Sequence, residues 1–277
     1  MPSPLLLLLA LASVALIGRA NGAMAANFTV DSTADAVDAS PGDGACATLA
    51  GACTLRAAVQ ETNARPGADT ISVPPGTYVL AIPGAGEDAS VTGDLDITDD
   101  LTITGSGAGS TIVDGGHLDR VFHVVGLLGG PTVQISGLTV RNGFADRGGG
   151  GIFNSGTLAL NASAVVDNST VGAGGGGVAN DTDAVLTLTD GTVTGNTANN
   201  GGGLGNLGTV TIVRSTLSGN SAQVEGGGLG GAGTSIVIDS LISGNTRAAR
   251  AAASPCLPSP VRRSPSMAAR SARTPPP

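Results

Sequence analysis

Gly149-Gly150-Gly151-Ile152-Phe153-Asn154 returns as Gly175-Gly176-Gly177-Val178-Ala179-Asn180, as Gly201-Gly202-Gly203-Leu204-Gly205-Asn206 and as Gly226-Gly227-Gly228-Leu229-Gly230-Gly231. The apolar residues behind the glycine runs, Ile152, Val178, Leu204 and Leu229, recur at offsets of 26, 26 and 25 residues. A short alternating run follows each: Leu158-Ala159-Leu160, Leu186-Thr187-Leu188, Val210-Thr211-Ile212 and Ile236-Val237-Ile238, with Val133-Gln134-Ile135 as an earlier member. After a second strand-like stretch comes an asparagine. These are Asn142, Asn168, Asn196, Asn220 and Asn245, spaced 26, 28, 24 and 25. Three of them close near-identical phrases, Val193-Thr194-Gly195-Asn196, Leu217-Ser218-Gly219-Asn220 and Ile242-Ser243-Gly244-Asn245.

Strands of three to five residues with period-2 alternation turn one face inward and one to solvent. Three such strands and their turns use about 25 residues, one coil of a solenoid. A lone coil cannot bury its inward face, so coils must stack until a continuous apolar core forms. The pattern therefore predicts an all-β protein, a right-handed single-stranded parallel β-helix. Glycine density and the lack of a 3.6-residue pattern exclude helical repeats. A flat antiparallel sandwich gives no reason for a 25-residue register. Asparagine suits left-handed turn positions, and stacked amides can bond along the axis, so the five asparagines are expected to form a ladder.

Working upstream, Ile71 and Val73, then Tyr78, Leu80 and Ile82, read as the first coil. Leu95 and Ile97, Leu101 and Ile103, Ile112 and Val113, and Val121 to Val125 continue it. Residues 70–246 then hold about seven coils. A solenoid end exposes apolar layers and needs a cap. Residues 26–69 supply it, with a helix over 54–64 whose Leu55, Ala58, Val59 and Thr62 share one face and which Arg65-Pro66-Gly67 stops. The carboxyl side of the repeat shows no equivalent, so truncation there is expected.

The two ends differ from the body. Residues 1–25 read as a signal peptide: Leu5 to Ile17 is apolar but for Ser13, and Ala23-Met24-Ala25 offers a small-x-small cleavage site. No later stretch is long and apolar enough to cross a membrane as a helix. Residues 247–277 are rich in Ala, Arg, Pro and Ser, and read as a disordered basic tail or the product of a shifted reading frame. The chain contains no lysine, and residues 26–246 carry six arginines against 21 acidic residues, a formal net of −15. Such a body repels nucleic acid and other polyanions. Cys46 and Cys53 are close enough for a small disulfide loop in an oxidising compartment, leaving Cys256 in the tail.

Cys53-Thr54-Leu55-Arg56-Ala57-Ala58 resembles the CSLREA motif of bacterial right-handed β-helix proteins, with Ala57 where the motif has glutamate. Phe28-Thr29-Val30-Asp31-Ser32, Gly44-Ala45-Cys46, Gly93-Asp94-Leu95-Asp96-Ile97-Thr98 and Asp114-Gly115-Gly116-His117-Leu118-Asp119-Arg120-Val121-Phe122 are similar to the same family. The glycine repeats resemble those of polymorphic outer-membrane proteins. The resemblance covers about Phe28 to Thr246 and implies the pectate-lyase-like superhelix, export, and a secreted or cell-surface location. It implies no agreed chemistry.

Two function classes follow. The first is a non-catalytic surface β-helix that adheres to extracellular glycans or host-cell components. The second is a polysaccharide lyase or glycoside hydrolase. Glycosidases need paired carboxylates, and lyases need acidic calcium ligands beside a basic group. Asp94, Asp96, Asp99 and Asp100 are the best cluster, with Asp114 and Asp119 on later coils and Arg120 or Arg141 as bases. Strand-end carboxylates are commonly just solvated, so the first class is preferred. Calcium enters only with the lyase, and no other cofactor is expected. His123 alternates outward and reads as a surface residue. The cysteine and histidine spacings offer no metal site, and the glycine runs lack the ending of a phosphate loop.

Overall fold

The computed structural model describes residues 25–126, 129–172 and 174–247. The signal assignment, Ala25 apart, and the tail beyond Arg247 lie outside the described residues. The chain winds as a parallel β-solenoid in which strands stack into four sheets of eight, seven, six and five strands. The right-handed parallel β-helix and its short capping helix are both present. Six coils are complete, and Thr234–Ile238, Leu241–Ser243 and Thr246–Arg247 begin a seventh.

One inward column shows how the repeat builds the core. Ile71, Ile103, Ile135, Leu160, Leu188 and Ile212 pair in register from coil to coil, each no more than 1% exposed. The last step differs from the sequence expectation. Val210 pairs with Ser235 and Ile212 with Val237, so Ile236 and Ile238 turn outward. A slip of one residue exchanges the faces of a strand, and the apparent match of Ile236-Val237-Ile238 to Val210-Thr211-Ile212 is off by one.

Coil length is not uniform. Asp69 pairs with Leu101 and Leu101 with Val133, steps of 32 residues, whereas Thr132 pairs with Thr157 and Thr209 with Thr234, steps of 25. The surplus in the first coil forms a flap, residues 83–93, that covers the outer side of Leu95–Ile97.

The amino-terminal cap is more elaborate than a helix with one apolar face. Asn27–Thr29 adds a parallel strand to Asp69–Val73. The helix runs Leu55–Asn63, with Thr54 capping it by accepting from the Ala57 N–H at 3.1 Å. All eight residues from Leu55 to Thr62 are buried, the polar ones included. Gln60 accepts from the Asp38 N–H and donates to the Ser90 carbonyl, and Glu61 accepts from the Gly42 and Gly44 amides. The segment before the helix wraps its outer face, and the Cys46–Cys53 disulfide closes that wrap.

The asparagine ladder is present with a corrected membership. Nδ2 of Asn168 donates to Oδ1 of Asn196, Asn196 to Asn220 and Asn220 to Asn245, at 3.0, 2.9 and 2.9 Å. Asn142 is not a rung. Arg141 pairs with Val166, so Asn142 is level with Asp167 and Gly143 with Asn168. The 26-residue spacing from Asn142 to Asn168 is therefore one residue out of register. Nor do the rungs take left-handed backbone. That conformation falls on the residue before each rung: Asp167, Gly195, Gly219 and Gly244, with Asn142 at the same level.

A second ladder runs through the glycine phrases themselves. Asn154 donates to Asn180 at 2.7 Å and Asn180 to Asn206 at 2.9 Å, all three buried. The third glycine of each phrase makes room for the first ladder. A Cβ on Gly151, Gly177 or Gly203 would stand 2.9 Å from the amide carbon of Asn168, Asn196 or Asn220 and 2.6–2.7 Å from a carbonyl of the next coil. Glycine run and asparagine thus form one device.

Candidate functional site

The four-aspartate cluster does not assemble on one open face. Asp99 and Asp100 sit in the corner before Leu101–Gly105. Asp99 accepts from the Gly67 and Asp100 amides, and Asp100 from the Thr132 amide at 2.7 Å. Such carboxylates hold turns together. Asp94 and Asp96 lie on the neighbouring sheet, under the flap, at 3% and 0% exposure. Asp114 and Arg141 pair with each other at 2.8 Å on a different sheet, and His117 is exposed in a left-handed turn.

Asp94, Asp96, Asp119 and Arg120 are brought together. Arg120 Nε is 3.4 Å from Asp94 Oδ2, and the guanidinium carbon is 5.5 Å from the Phe153 ring centre. Burial, then the charges of Asp96 and Asp119, push the Asp94 carboxyl up to about 8 against the opposing pull of Arg120. Burial likewise raises Asp119, whose Oδ1 accepts from the Arg120 amide at 2.8 Å. The buried Arg56 does not neutralise this group. It binds Asp35 and donates to the carbonyls of Ser90, Gly93 and Asp94.

His123 faces outward, as alternation requires, yet its side chain is only 15% exposed. It pairs in register with Asp96 below and Phe153 above. Its Nδ1 is 3.1 Å from Asp96 Oδ1 and 3.4 Å from Oδ1 of Asp88 on the flap. Phe153 meets the imidazole edge-on, with ring centres 5.4 Å apart. Sequence reading missed Asp88 because His123, the residue it meets, lies on the next coil.

Beyond Phe153 the same outer column continues as Ala179, Gly205 and Gly230. The shrinking side chains floor a cleft of about 180 Å³ whose rim carries Asp181, Asn200, Leu207 and Glu225. Gly205 is required by the glycine turn beside it, since a Cβ there would stand 2.4 Å from the Gly175 nitrogen. The cleft is thus a by-product of the packing that makes the repeat, with an apolar floor and an amide-and-carboxylate rim. Among the described residues no helix is long and apolar enough to cross a membrane. No protein-family model, no curated protein and no solved structure matches the chain.

Proposed function

We propose that this chain is an exported, non-catalytic surface β-solenoid that holds glycan in the cleft running from Phe153 to Gly230. The cleft carries the reading: a trough along the solenoid axis, apolar below and edged by the Asn200 amide and the Asp181 and Glu225 carboxylates, suits part of an extended polar chain. At about 180 Å³ it is smaller than the roughly 300 Å³ at which enclosed ligand pockets begin. It therefore suits recognition of a segment of a polymer rather than engulfment of a small molecule. Asp181 and Glu225 on the rim, set in a body of formal net charge −15, favour neutral glycans over uronate polymers. The Cys46–Cys53 bond is in keeping with an oxidising compartment, and the CSLREA-like segment supports export.

The test is a glycan array read beside reducing-sugar and unsaturated-product assays, with and without calcium. Binding of neutral glycans without turnover, weakened several-fold by Phe153→Ala and by Leu207→Asp, is expected. Calcium-dependent cleavage abolished by Asp99→Ala or Asp100→Ala would replace this reading with a lyase. Binding indifferent to Phe153 and Leu207 would remove the cleft from it.

A further inference from the structure

We infer that Asp88, Asp96 and His123 form a site for a divalent transition-metal ion of the zinc class, which clasps the 83–93 flap to the second coil. The three residues come from separate pieces of chain. Asp88 is on the flap, Asp96 on Leu95–Ile97 and His123 on Phe122–Val124, paired directly with Asp96. The ligand atoms lie within 4.8 Å of one another, and the two shorter separations are 3.1 and 3.4 Å. Tetrahedral zinc bonded to nitrogen and carboxylate oxygen at about 2.0–2.1 Å sets its ligand atoms roughly 3.3–3.4 Å apart. One imidazole nitrogen and two carboxylate oxygens also match the borderline character of such an ion better than the all-oxygen preference of calcium or magnesium.

The surroundings hold these ligands in place. The second oxygen of Asp96 accepts from the Ser90 N–H at 3.0 Å, while the Ser90 hydroxyl bridges the Asp96 backbone. Phe153 fixes the plane of the imidazole. Supports of this kind orient metal ligands and are part of the site's affinity.

Charge supplies an independent argument. Asp94, Asp96 and Asp119 are all buried, and the Arg120 side chain meets Asp94 at 3.4 Å, with its Nε lacking a hydrogen-bond acceptor. Arg56 is committed to Asp35 and to backbone carbonyls. Asp96 is wholly buried and neither arginine meets its carboxylate, and its Oδ1 faces the side where His123 and Asp88 converge. Asp88 is 66% exposed, so an ion can enter from solvent and the flap can fold over it.

Titration calorimetry of the chelator-stripped full chain with zinc, manganese and calcium, run separately, tests the site. One zinc per chain is expected, in the micromolar range or tighter and well ahead of manganese and calcium. Added zinc should also slow amide exchange across residues 83–93. His123→Ala should weaken zinc binding by at least about tenfold, whereas Asp99→Asn should not. Because Asp96 is buried, Asp88→Asn on the exposed flap is the variant that tests the clasp without disturbing the core, and it should abolish the exchange protection. No saturable uptake, uptake unchanged in His123→Ala and Asp88→Asn, or a preference for manganese or calcium would each overturn the proposal. Since no glycan is present in any arm, the outcome is independent of the cleft.

Discussion

The side-chain amide of Asn168 donates to Oδ1 of Asn196 at 3.0 Å, and the backbone N–H of Asn168 reaches the same oxygen at 2.9 Å. The other face of that amide donates to the Val140 carbonyl in the coil below at 3.2 Å. Each rung therefore satisfies buried backbone groups on both sides that the turn would otherwise strand.

Asn196→Ala leaves several of these groups without partners, among them the Val165 carbonyl and the Asn168 amide. At about 1–3 kcal/mol for each buried unsatisfied group, a loss of roughly 3 kcal/mol or more is expected in urea denaturation. Asn142→Gly keeps the left-handed backbone and lies outside the ladder, so its cost should stay within about 1 kcal/mol. Equal costs at the two positions would contradict the register that sets Asn142 level with Asp167.

Gly177→Ala tests the coupling of glycine run and ladder. The new methyl would stand 2.7 Å from the Gly203 carbonyl and 2.9 Å from the Asn196 amide carbon, neither free to withdraw. A cost of about 1–3 kcal/mol is expected from overpacking. Gly109→Ala, with open space around its Cβ, should change stability by no more than about 0.5 kcal/mol.

Arg56 ties the cap to the flap. Arg56→Ala removes the counter-charge of the buried Asp35 carboxylate and leaves the carbonyls of Gly93 and Asp94 without that donor, and should cost about 3–5 kcal/mol. Hydrogen exchange should rise first across residues 90–94. Arg56→Lys is expected to recover little, since one ammonium cannot serve carboxylate and carbonyls in the fork geometry of a guanidinium.

Asp114 predicts an acid limb. Burial by itself would raise its carboxyl, but the Gly116 amide, Arg141 and Asn142 outweigh that and hold it below its ordinary value of 3.8. A carboxylate lowered in the folded state stabilises above its unfolded pKa, and that contribution disappears as pH falls through the folded value. Melting temperature should therefore drop below about pH 4, and the drop should be shallower in Asp114→Asn. An identical acid limb in the variant would assign the effect to other carboxylates.

The solenoid was legible because its core lies in strict alternation at fixed offsets, as Leu160, Leu188 and Ile212 illustrate. Offsets say nothing about a shift of one residue, however. Asn142 looks like a rung and Ile236 like a core residue until backbone pairing places Gly143 and Ser235 at those levels. The second ladder is written in the asparagines that close three glycine phrases, but the stronger apolar signal of the residues before them masks it. The helix read as half-buried because the wrap that covers Arg56, Gln60 and Glu61 carries no periodic signal. Asp88, Asp96 and His123 could not be assembled from sequence, since a flap and a coil step of 27 residues separate them.

The two ends of the stack are unlike. At the first, Leu55 and Val59 press on the core at 2% and 0% exposure, and the helix and its wrap cover the apolar layer beneath. At the last described layer Ile236, Val237, Ile238, Leu241 and Ile242 are 41–56% exposed, offering the same surface that Thr209–Val213 offers to Thr234–Ile238. Among the described residues the stack is therefore covered at its first layer, while its last layer presents a free set of strand edges and apolar side chains. Because successive coils meet through like strands in register, a coil duplicated within the regular stretch would find matching partners on both sides and leave every contact of the capped end as it is.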